Sequence, residues 1–326
     1  MSIPPALTVL WAKSGSAGRP HHPLLCHALD TAASCFGLWH HCLPPAVQER
    51  LLAWAGSSDP QALTRWLAFL AGLHDLGKAT PGFQARWEPA LRRLQAMGLP
   101  FPLAARPEHD RLTLDLLSPL LAPICGGFAA RRIAWALAGH HLPQVAPRGP
   151  RVSLLRDGGG DAWAAVRDRL LQALGLLTAR TALPPGLADA DHDLLVALGG
   201  LTQLADWVAS TPAWFPPQGD EADWSAYWAV AVARAWRVTG LIAGQTARKC
   251  WRGGISRPTR AVVLGGLGRL GESLLALSLP CHTPRAQALG TAWSRSLDLR
   301  LRVAKVAHPC LLALDLGRLD FTLGDS

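Results

Sequence analysis

Residues that can hold a metal ion recur through the first two thirds of this sequence. They lie on predicted helices or at helix ends: His27, His74, Asp75, His109, His140, His141 and Asp206. A hydrolytic metal site needs several imidazoles and carboxylates that converge on one point and leave positions open for water and substrate. Seven side chains exceed the needs of one tetrahedral site, and a carboxylate can bridge two ions. The set therefore favours a centre with two metal ions.

Two of the carboxylates lie in strongly apolar stretches. The pair His74-Asp75 follows the run LAFLAGL, and Asp206 lies within LTQLADWVAS. A carboxylate buried there is costly unless it is paired or bound to a metal, so these stretches carry the strongest prediction of ligation. A histidine taken alone is more often a packed or partly exposed side chain than a ligand. The remaining histidines lack such a setting, and we interpret them as surface or structural residues: His21, His22, His40, His41, His192, His282 and His308.

Lys78 and Ser210 follow these carboxylates closely in the sequence. Lys78 either caps a helix C-terminus, where a cation is favoured, or faces a phosphate oxygen one turn beyond His74. Ser210 lies four residues after Asp206. Its hydroxyl either donates to a phosphate or to Asp206, or it simply ends a helix before Pro212.

Helical periodicity dominates the sequence up to about residue 241 and predicts an all-α fold. Asp59 and Pro60 have the residue types of an N-cap and a first-turn proline. Residues 1–23 contain many prolines and glycines and predict irregular structure, and loops are predicted at 98–107, 143–160 and 181–188. The predicted helices span residues 24–44, 60–76, 83–97, 109–121, 128–141, 161–178, 190–210 and 221–241.

The character of the sequence changes at about residue 242. Residues 241–326 hold twelve Lys/Arg against five Asp/Glu, so they contribute +7 of the formal charge of +9. We interpret 1–241 as one domain and 242–326 as a short irregular basic extension, which either contacts nucleic acid or is a generic basic tail. A GxGxxG at 266–271 is a weak signal because no clear βαβ unit follows it, and the chain has no GxxxxGK[ST] phosphate loop.

The composition excludes several classes of protein. With 49% hydrophobic and 17% charged residues, the chain can bury a sizeable core and is not disordered as a whole. The seven cysteines form no CxxC pair and no secretory signal precedes them, which predicts a cytoplasmic protein. No apolar run reaches transmembrane length, so no membrane partner is expected.

In their order along the chain, these motifs resemble the HD superfamily of metal-dependent phosphohydrolases. More narrowly, they resemble the HD nuclease domain of the CRISPR-associated type I helicase-nuclease, with a leaning toward the I-E subtype. The resemblance covers about residues 8–241. It is carried by LWAKSG at 10–15, HPLLCHALDTAA at 22–33, HDLGKATPGFQ at 74–84, PEHD at 107–110, AGHHLP at 138–143, ADWVAS and WFP within 205–216, and AYWAVAVARAWRVTGL at 226–241.

The resemblance implies a helical bundle around a two-metal centre, with Asp75 as the bridge. By matched position, the first ion would be held by His27, His74, Asp75 and Asp206, and the second would be completed by His109, His140 and His141. Lys78 and Ser210 match residues near the scissile phosphate. The implied activity is endonucleolytic cleavage of single-stranded DNA in antiviral defence. The implied cofactors are two divalent ions among manganese, iron, cobalt and nickel, with magnesium also accepted to some degree.

The implied partners are a CRISPR surveillance complex with its guide RNA and a helicase that feeds the displaced strand to the nuclease. Two features depart from the family pattern. Asp110 stands where a glutamate usually follows the histidine, and no RecA-like core follows residue 241. A separate helicase subunit is therefore expected. Two rival functions stay open: an HD phosphohydrolase acting on nucleotides, and a catalytically silent module that docks on the surveillance complex.

Overall fold

Twelve α-helices and one two-stranded sheet make up the computed structural model, which describes residues 5–15, 20–102, 108–139, 153–220 and 223–252. The all-α prediction is confirmed. The strands β1 (Trp11–Lys13) and β2 (His22–Pro23) are antiparallel. The helices are α1 Ala6–Val9, α2 Leu24–His41, α3 Pro45–Ala55, α4 Pro60–Gly72, α5 Pro81–Gln84, α6 Glu88–Ala96, α7 His109–Cys125, α8 Gly127–Ala138, α9 Gly160–Leu177, α10 Pro185–Ala188, α11 His192–Ala209 and α12 Trp224–Arg252.

Helix α2 forms the centre of the bundle. Its sequence is rich in small and apolar residues, and almost every side chain from Leu24 to Trp39 is buried. Helices α4, α11 and α12 all pack against it. The closeness of this packing is visible at Gly72, where an added Cβ would lie 2.9 Å from the carbonyl oxygen of Ala28 on α2. A polar group on the inner faces of these helices is therefore buried by its position.

Helix α4 begins as the sequence predicts. The carboxylate of Asp59 accepts from the backbone N–H groups of Gln61 (2.8 Å) and Ala62 (3.1 Å), and Pro60 occupies the first helical position. The helix ends at Gly72, four residues before the predicted end, and a 3₁₀ turn follows at Leu76–Lys78. The apolar run continues past the helix because these residues are buried in a turn rather than on a helical face.

Several elements differ from the sequence prediction. The N-terminal stretch predicted to be irregular contains α1 and both strands, and α3 was not predicted. The helix predicted at 83–97 is interrupted between α5 and α6, whereas α7 continues four residues beyond its predicted end with Pro119 and Pro123 inside it. Helix α12 runs through the predicted boundary at 241/242 as far as Arg252. The basic extension from residue 253 lies outside the described residues.

Membrane crossing has no support in the helices. In the part of the chain that the structure describes, no helix combines the length and the apolar composition that a membrane span needs.

Candidate metal centre

Four separate elements deliver the candidate ligands to one place. His27 lies in the first turns of α2, the pair His74-Asp75 lies between α4 and the 3₁₀ turn, His109 opens α7, and Asp206 lies in the last turn of α11. All except His109 are at least nine-tenths buried. The sequence spacing between them is large, so only the tertiary packing around α2 brings them together.

Gly77 permits the close approach of α7 to the turn that carries His74 and Asp75. An added Cβ at this position would lie only 2.0 Å from the carbonyl oxygen of His109. The Gly77 N–H donates to Oγ1 of Thr113 at 2.9 Å, and the Thr113 hydroxyl donates to the His74 carbonyl at 3.1 Å. Any side chain at position 77 would therefore push His109 away from Asp75.

Four potential ligand atoms converge at the buried core of the site. His27 Nε2 lies 3.2 Å from both Asp75 Oδ2 and Asp206 Oδ1. His74 Nε2 lies 3.3 Å from Asp75 Oδ2 and 3.5 Å from Asp206 Oδ1. Two atoms bound to one ion at about 2.1 Å, with tetrahedral or octahedral angles, are about 3.0–3.5 Å apart. The spacing of this cluster, built from His27, His74, Asp75 and Asp206, therefore fits a transition-metal ion.

The orientation of the His74 ring also suits a ligand. Its Nδ1 lies 2.9 Å from the carbonyl oxygen of Ala71, which accepts a hydrogen bond from an Nδ1–H group. That contact directs Nε2 toward the carboxylates of Asp75 and Asp206. A backbone carbonyl holding the second ring nitrogen is a common outer contact of metal-bound histidine, because it fixes both tautomer and ring orientation.

Asp75 presents its two oxygens to different histidines. Oδ2 faces His27 and His74, whereas Oδ1 lies 3.2 Å from His109 Nε2. The same His109 nitrogen lies 2.9 Å from Oδ1 of Asp110. A carboxylate with this arrangement can bridge two ions. Asp110 contacts His109 without replacing it, as expected for the acidic residue that follows this histidine.

Lys78 and Ser210 both contact carboxylates of the cluster. Lys78 Nζ lies 2.6 Å from Asp75 Oδ2, and its side chain is 13% exposed. The Ser210 hydroxyl donates to Asp206 Oδ1 at 2.8 Å, which is one of the two roles the sequence left open. Lys78 therefore faces Asp75 rather than capping the 3₁₀ turn, while its ammonium stays near the outer edge of the centre.

The electrostatics of the centre favour bound cations. Burial opposes the charged form of His74, but the negative charges of Asp75 and Asp206 outweigh it and raise the pKa of His74 to about 10. Burial likewise opposes charge on His109, yet Asp110 and Asp75 raise its pKa to about 9. Burial would raise the pKa of Asp75 too, but Lys78 and His74 hold that pKa well below its ordinary value. With these pKa values, His74 and His109 carry protons at neutral pH beside the two carboxylates.

The histidine doublet cannot be placed. His140 and His141 lie outside the described residues, so their predicted part in the second ion site stays a prediction. The other predicted ligands all lie in the cluster or against it, and His27, His74 and Asp75 each offer an atom within 4.8 Å of the others.

Two residues near the centre had no assigned role in the sequence prediction. Lys13, at the end of β1, interacts electrostatically with Asp206 and Asp75. Gln84, at the end of α5, is completely buried and contacts the backbone of both β1 and the 3₁₀ turn. Each lies inside a stretch that supports the family resemblance, but residue type alone gives no sign of their roles.

Comparisons with known proteins point to one family. The family model described as the Cas3 HD domain matches residues 11–215. The CRISPR-associated endonuclease/helicase Cas3 of Thermus thermophilus is 37% identical over 223 residues, which cover 66% of this chain and 23% of that protein. The chain thus spans about a quarter of the length of this curated relative.

Solved structures show the same fold. A crystal structure of a CRISPR-associated protein matches with 32% identity and a TM-score of 0.65, over 75% of this chain and 27% of the other. The Thermus thermophilus Cas3 HD domain, crystallised in the presence of Ni²⁺, matches with 29% identity and a TM-score of 0.52, over 72% of this chain and 89% of the other. Because the family model covers more than half of the sequence, this chain belongs to the Cas3 HD domain family of metal-dependent nucleases.

Proposed function

We propose that this chain is a metal-dependent endodeoxyribonuclease that cleaves single-stranded DNA in type I CRISPR interference. The observation that carries the proposal is the convergence of His27, His74, Asp75 and Asp206, with the second oxygen of Asp75 turned toward His109. A phosphodiester is the substrate that a pair of ions sharing one carboxylate serves best. The family assignment supports the same chemistry.

The proposed ligand sets combine this arrangement with the positions matched in the family resemblance. The first ion is held by His27, His74, Asp75 and Asp206, and the second by Asp75 together with His109, His140 and His141. When bound, the ions supply Lewis-acid activation of water and stabilise charge on the reacting oxygens. A mixed set of histidine and aspartate ligands suits manganese, iron, cobalt or nickel, and magnesium less well.

Two further side chains act on the carboxylates and the substrate. Ser210 fixes the orientation of Asp206 through its hydroxyl. Lys78 has three donors, of which one is engaged by Asp75. A second donor can bind a phosphate oxygen and offset the charge that develops there.

The proposed partners follow from the family as well. The curated relative is described as both endonuclease and helicase, and this chain matches about a quarter of it. We therefore propose that a helicase subunit delivers the single strand, and that the CRISPR surveillance complex with its guide RNA displaces it.

The test compares two His-Asp dipeptides of the same chain. His74→Ala combined with Asp75→Ala should abolish metal-dependent cleavage of circular single-stranded DNA while the fold survives. The matched control is His192→Ala with Asp193→Ala at the start of α11, where His192 is exposed. The control should cleave like the unmodified protein.

Three outcomes would contradict the proposal. Cleavage that persists in the His74/Asp75 variant places the active site elsewhere. Hydrolysis of nucleotides with the DNA circle left intact favours the small-molecule phosphohydrolase. Failure of the purified protein to hold or rebind metal favours the silent docking module.

A further inference from the structure

The stretch LWAKSG contains a lysine that the proposed mechanism does not use. Lys13 is the last residue of β1 and lies opposite His22 in the antiparallel pair. Strand β2 leads directly into α2, which carries His27. The strand pair thus places Lys13 opposite His22, whose ring centroid lies 6.2 Å from that of His27.

Lys13 is partly buried, at the end of a strand whose other two residues are buried. Its side chain is only partly accessible, and within the described ranges its ammonium makes neither an ion pair nor a hydrogen bond. The groups that act on it electrostatically are Asp206, Asp30 and Asp75, which attract it, and Lys78, which repels it. Burying an ammonium group without a hydrogen-bonding partner is costly. A ligand that accepts its hydrogen bonds removes that cost.

Gln84 holds Lys13 and Lys78 in a fixed relation. Its side-chain oxygen accepts from the Trp11 N–H at 3.1 Å, and its amide nitrogen donates to the Trp11 carbonyl at 2.9 Å. The same nitrogen donates to the Lys78 carbonyl at 2.9 Å. One buried side chain therefore ties strand β1 to the 3₁₀ turn, and the two lysines approach the centre from two elements that cannot move independently.

The choice of lysine is itself informative in this chain. The 32 basic residues include only four lysines, Lys13, Lys78, Lys249 and Lys305, which leaves 28 arginines. Lys78 contacts Asp75, and Lys13 interacts electrostatically with Asp206 and Asp75. A compact ammonium acts as a point charge on a single oxygen, whereas a planar guanidinium favours forked contacts and needs more room.

We propose that Lys13 binds a non-bridging phosphate oxygen of the DNA strand, as a second cation beside Lys78, and that Gln84 positions the two. The inference rests on the proposed function, since it assigns a phosphate to the centre. Lys78 already donates to the carboxylate of Asp75, whereas the donors of Lys13 stay available for the substrate. The competing explanation is that Lys13 only balances the negative charge of the aspartates.

The test measures kcat/KM for cleavage of circular single-stranded DNA over a series of KCl concentrations. Each phosphate contact made to a single strand contributes about 0.7 to the slope of log affinity against log salt. We expect Lys13→Gln to reduce the slope by about 0.7 and to lower kcat/KM about ten- to a hundredfold at low salt. Lys13→Arg should keep most of the slope. The matched control is Arg169→Gln, which removes one exposed charge from α9 and should leave both quantities unchanged.

Two further measurements separate a substrate contact from charge balance. Lys13→Met and Lys13→Gln should both keep the metal content of the unmodified protein. In both variants the unfolding temperature of the metal-loaded protein should stay the same or rise. Loss of metal or a fall in unfolding temperature, with an unchanged salt slope, would overturn the inference and assign Lys13 to charge balance. If the unmodified protein cleaves and Lys13→Gln matches it at every salt concentration, only this inference fails. If the unmodified protein does not cleave, the proposed function fails and this inference falls with it.

Discussion

Two buried histidine–aspartate clusters share helix α2, and they differ in how their carboxylates are satisfied. The metal centre uses His27, while one turn further along the same helix Asp30 belongs to a second network. There, His22 Nε2 lies 2.9 Å from Asp30 Oδ2, and the Tyr227 hydroxyl lies 3.0 and 3.1 Å from the two carboxylate oxygens. All three side chains are at most 3% exposed.

The two clusters differ in their balance of donors and acceptors. Burial lowers the pKa of His22, so its ring stays neutral, and burial next to Asp30 raises the pKa of Tyr227 far above its ordinary value, so its hydroxyl stays a donor. One carboxylate is thus satisfied by two neutral donors. At the metal centre two carboxylates face two imidazoles, and the Nδ1–H of His74 is already used by Ala71. The remaining acceptors are met by the Lys78 ammonium, the Ser210 hydroxyl and the protons of His74 and His109, and a bound ion can replace those protons.

This contrast corrects the sequence argument. A carboxylate in an apolar helix predicted a ligand at Asp206, but the same rule applied to Asp30 would select a structural residue. A buried carboxylate is unfavourable unless a donor or a cation contacts it, and a tyrosine or a lysine can be that contact as well as a metal ion. Convergence of several acceptors on one point is what distinguishes the ligand set.

The largest difference between the clusters should appear when each loses a carboxylate. Asp206→Asn should reduce metal-dependent DNA cleavage to background, because it removes a charged ligand while keeping the shape of the side chain. Asp30→Asn should leave the rate per folded molecule within a few-fold, but should lower the free energy of unfolding by about 1–3 kcal/mol, since an amide cannot accept through both arms. Cleavage rates and urea unfolding measure the two effects. Equal loss of cleavage in both variants would show that the clusters act as one site.

The pH dependence of metal binding should be the next largest effect. His74 and His109, with pKa values raised to about 10 and about 9, hold protons at neutral pH that an ion must displace. Metal affinity should therefore rise by up to about a hundredfold per pH unit as pH increases from neutrality, and level off near pH 9–10. Calorimetric titration in two buffers of different ionisation enthalpy counts the protons released. Release of none would contradict the assignment.

The two clusters should change the stability of the metal-free protein with pH in opposite directions. A raised pKa in the folded state gives stability that is fully present below about 6.5 and is lost as pH rises through the folded value, so His74 and His109 should weaken the fold in alkaline solution. The lowered pKa of His22 costs stability as pH falls below about 6.5. Unfolding temperatures across pH should show a smaller alkaline decline in His109→Asn, where His74 still contributes, and a smaller acid decline in His22→Asn.

The smallest predicted effect concerns the hydroxyl that closes the second network. Tyr227→Phe removes the donor to both oxygens of Asp30 and should cost about 1–3 kcal/mol of unfolding free energy. The rate of DNA cleavage per folded molecule should stay unchanged, because no residue of the metal centre loses a contact. A loss of metal content in this variant would mean that the network also supports the ligands.

The sequence predicts the elements of this fold better than their ends. The Asp59 cap and Pro60 set the start of α4 through local chemistry, so that boundary was predictable. The end at Gly72 was not, because the turn that follows is as apolar as the helix and is stabilised by contacts with α7 such as Gly77 with Thr113. Those contacts join residues far apart in the sequence.

The same limit applies to the site. The ligand types were visible as histidines and aspartates in apolar settings, and the family resemblance ordered them. The part played by Asp110 against His109, and the clamp that Gln84 forms around Trp11 and Lys78, depend on which elements meet in three dimensions. The type of such a residue, an amide or an acidic group, does not by itself predict which element it contacts.

Anomalous diffraction from crystals soaked in Ni²⁺ or Mn²⁺ tests the central claim most directly. The account predicts a peak about 2.0–2.3 Å from His27 Nε2 and His74 Nε2 and within reach of Asp75 and Asp206, with no peak at the second network. A metal peak beside Asp30, or the absence of any peak between His27, His74 and Asp206 in metal-loaded active protein, would contradict it.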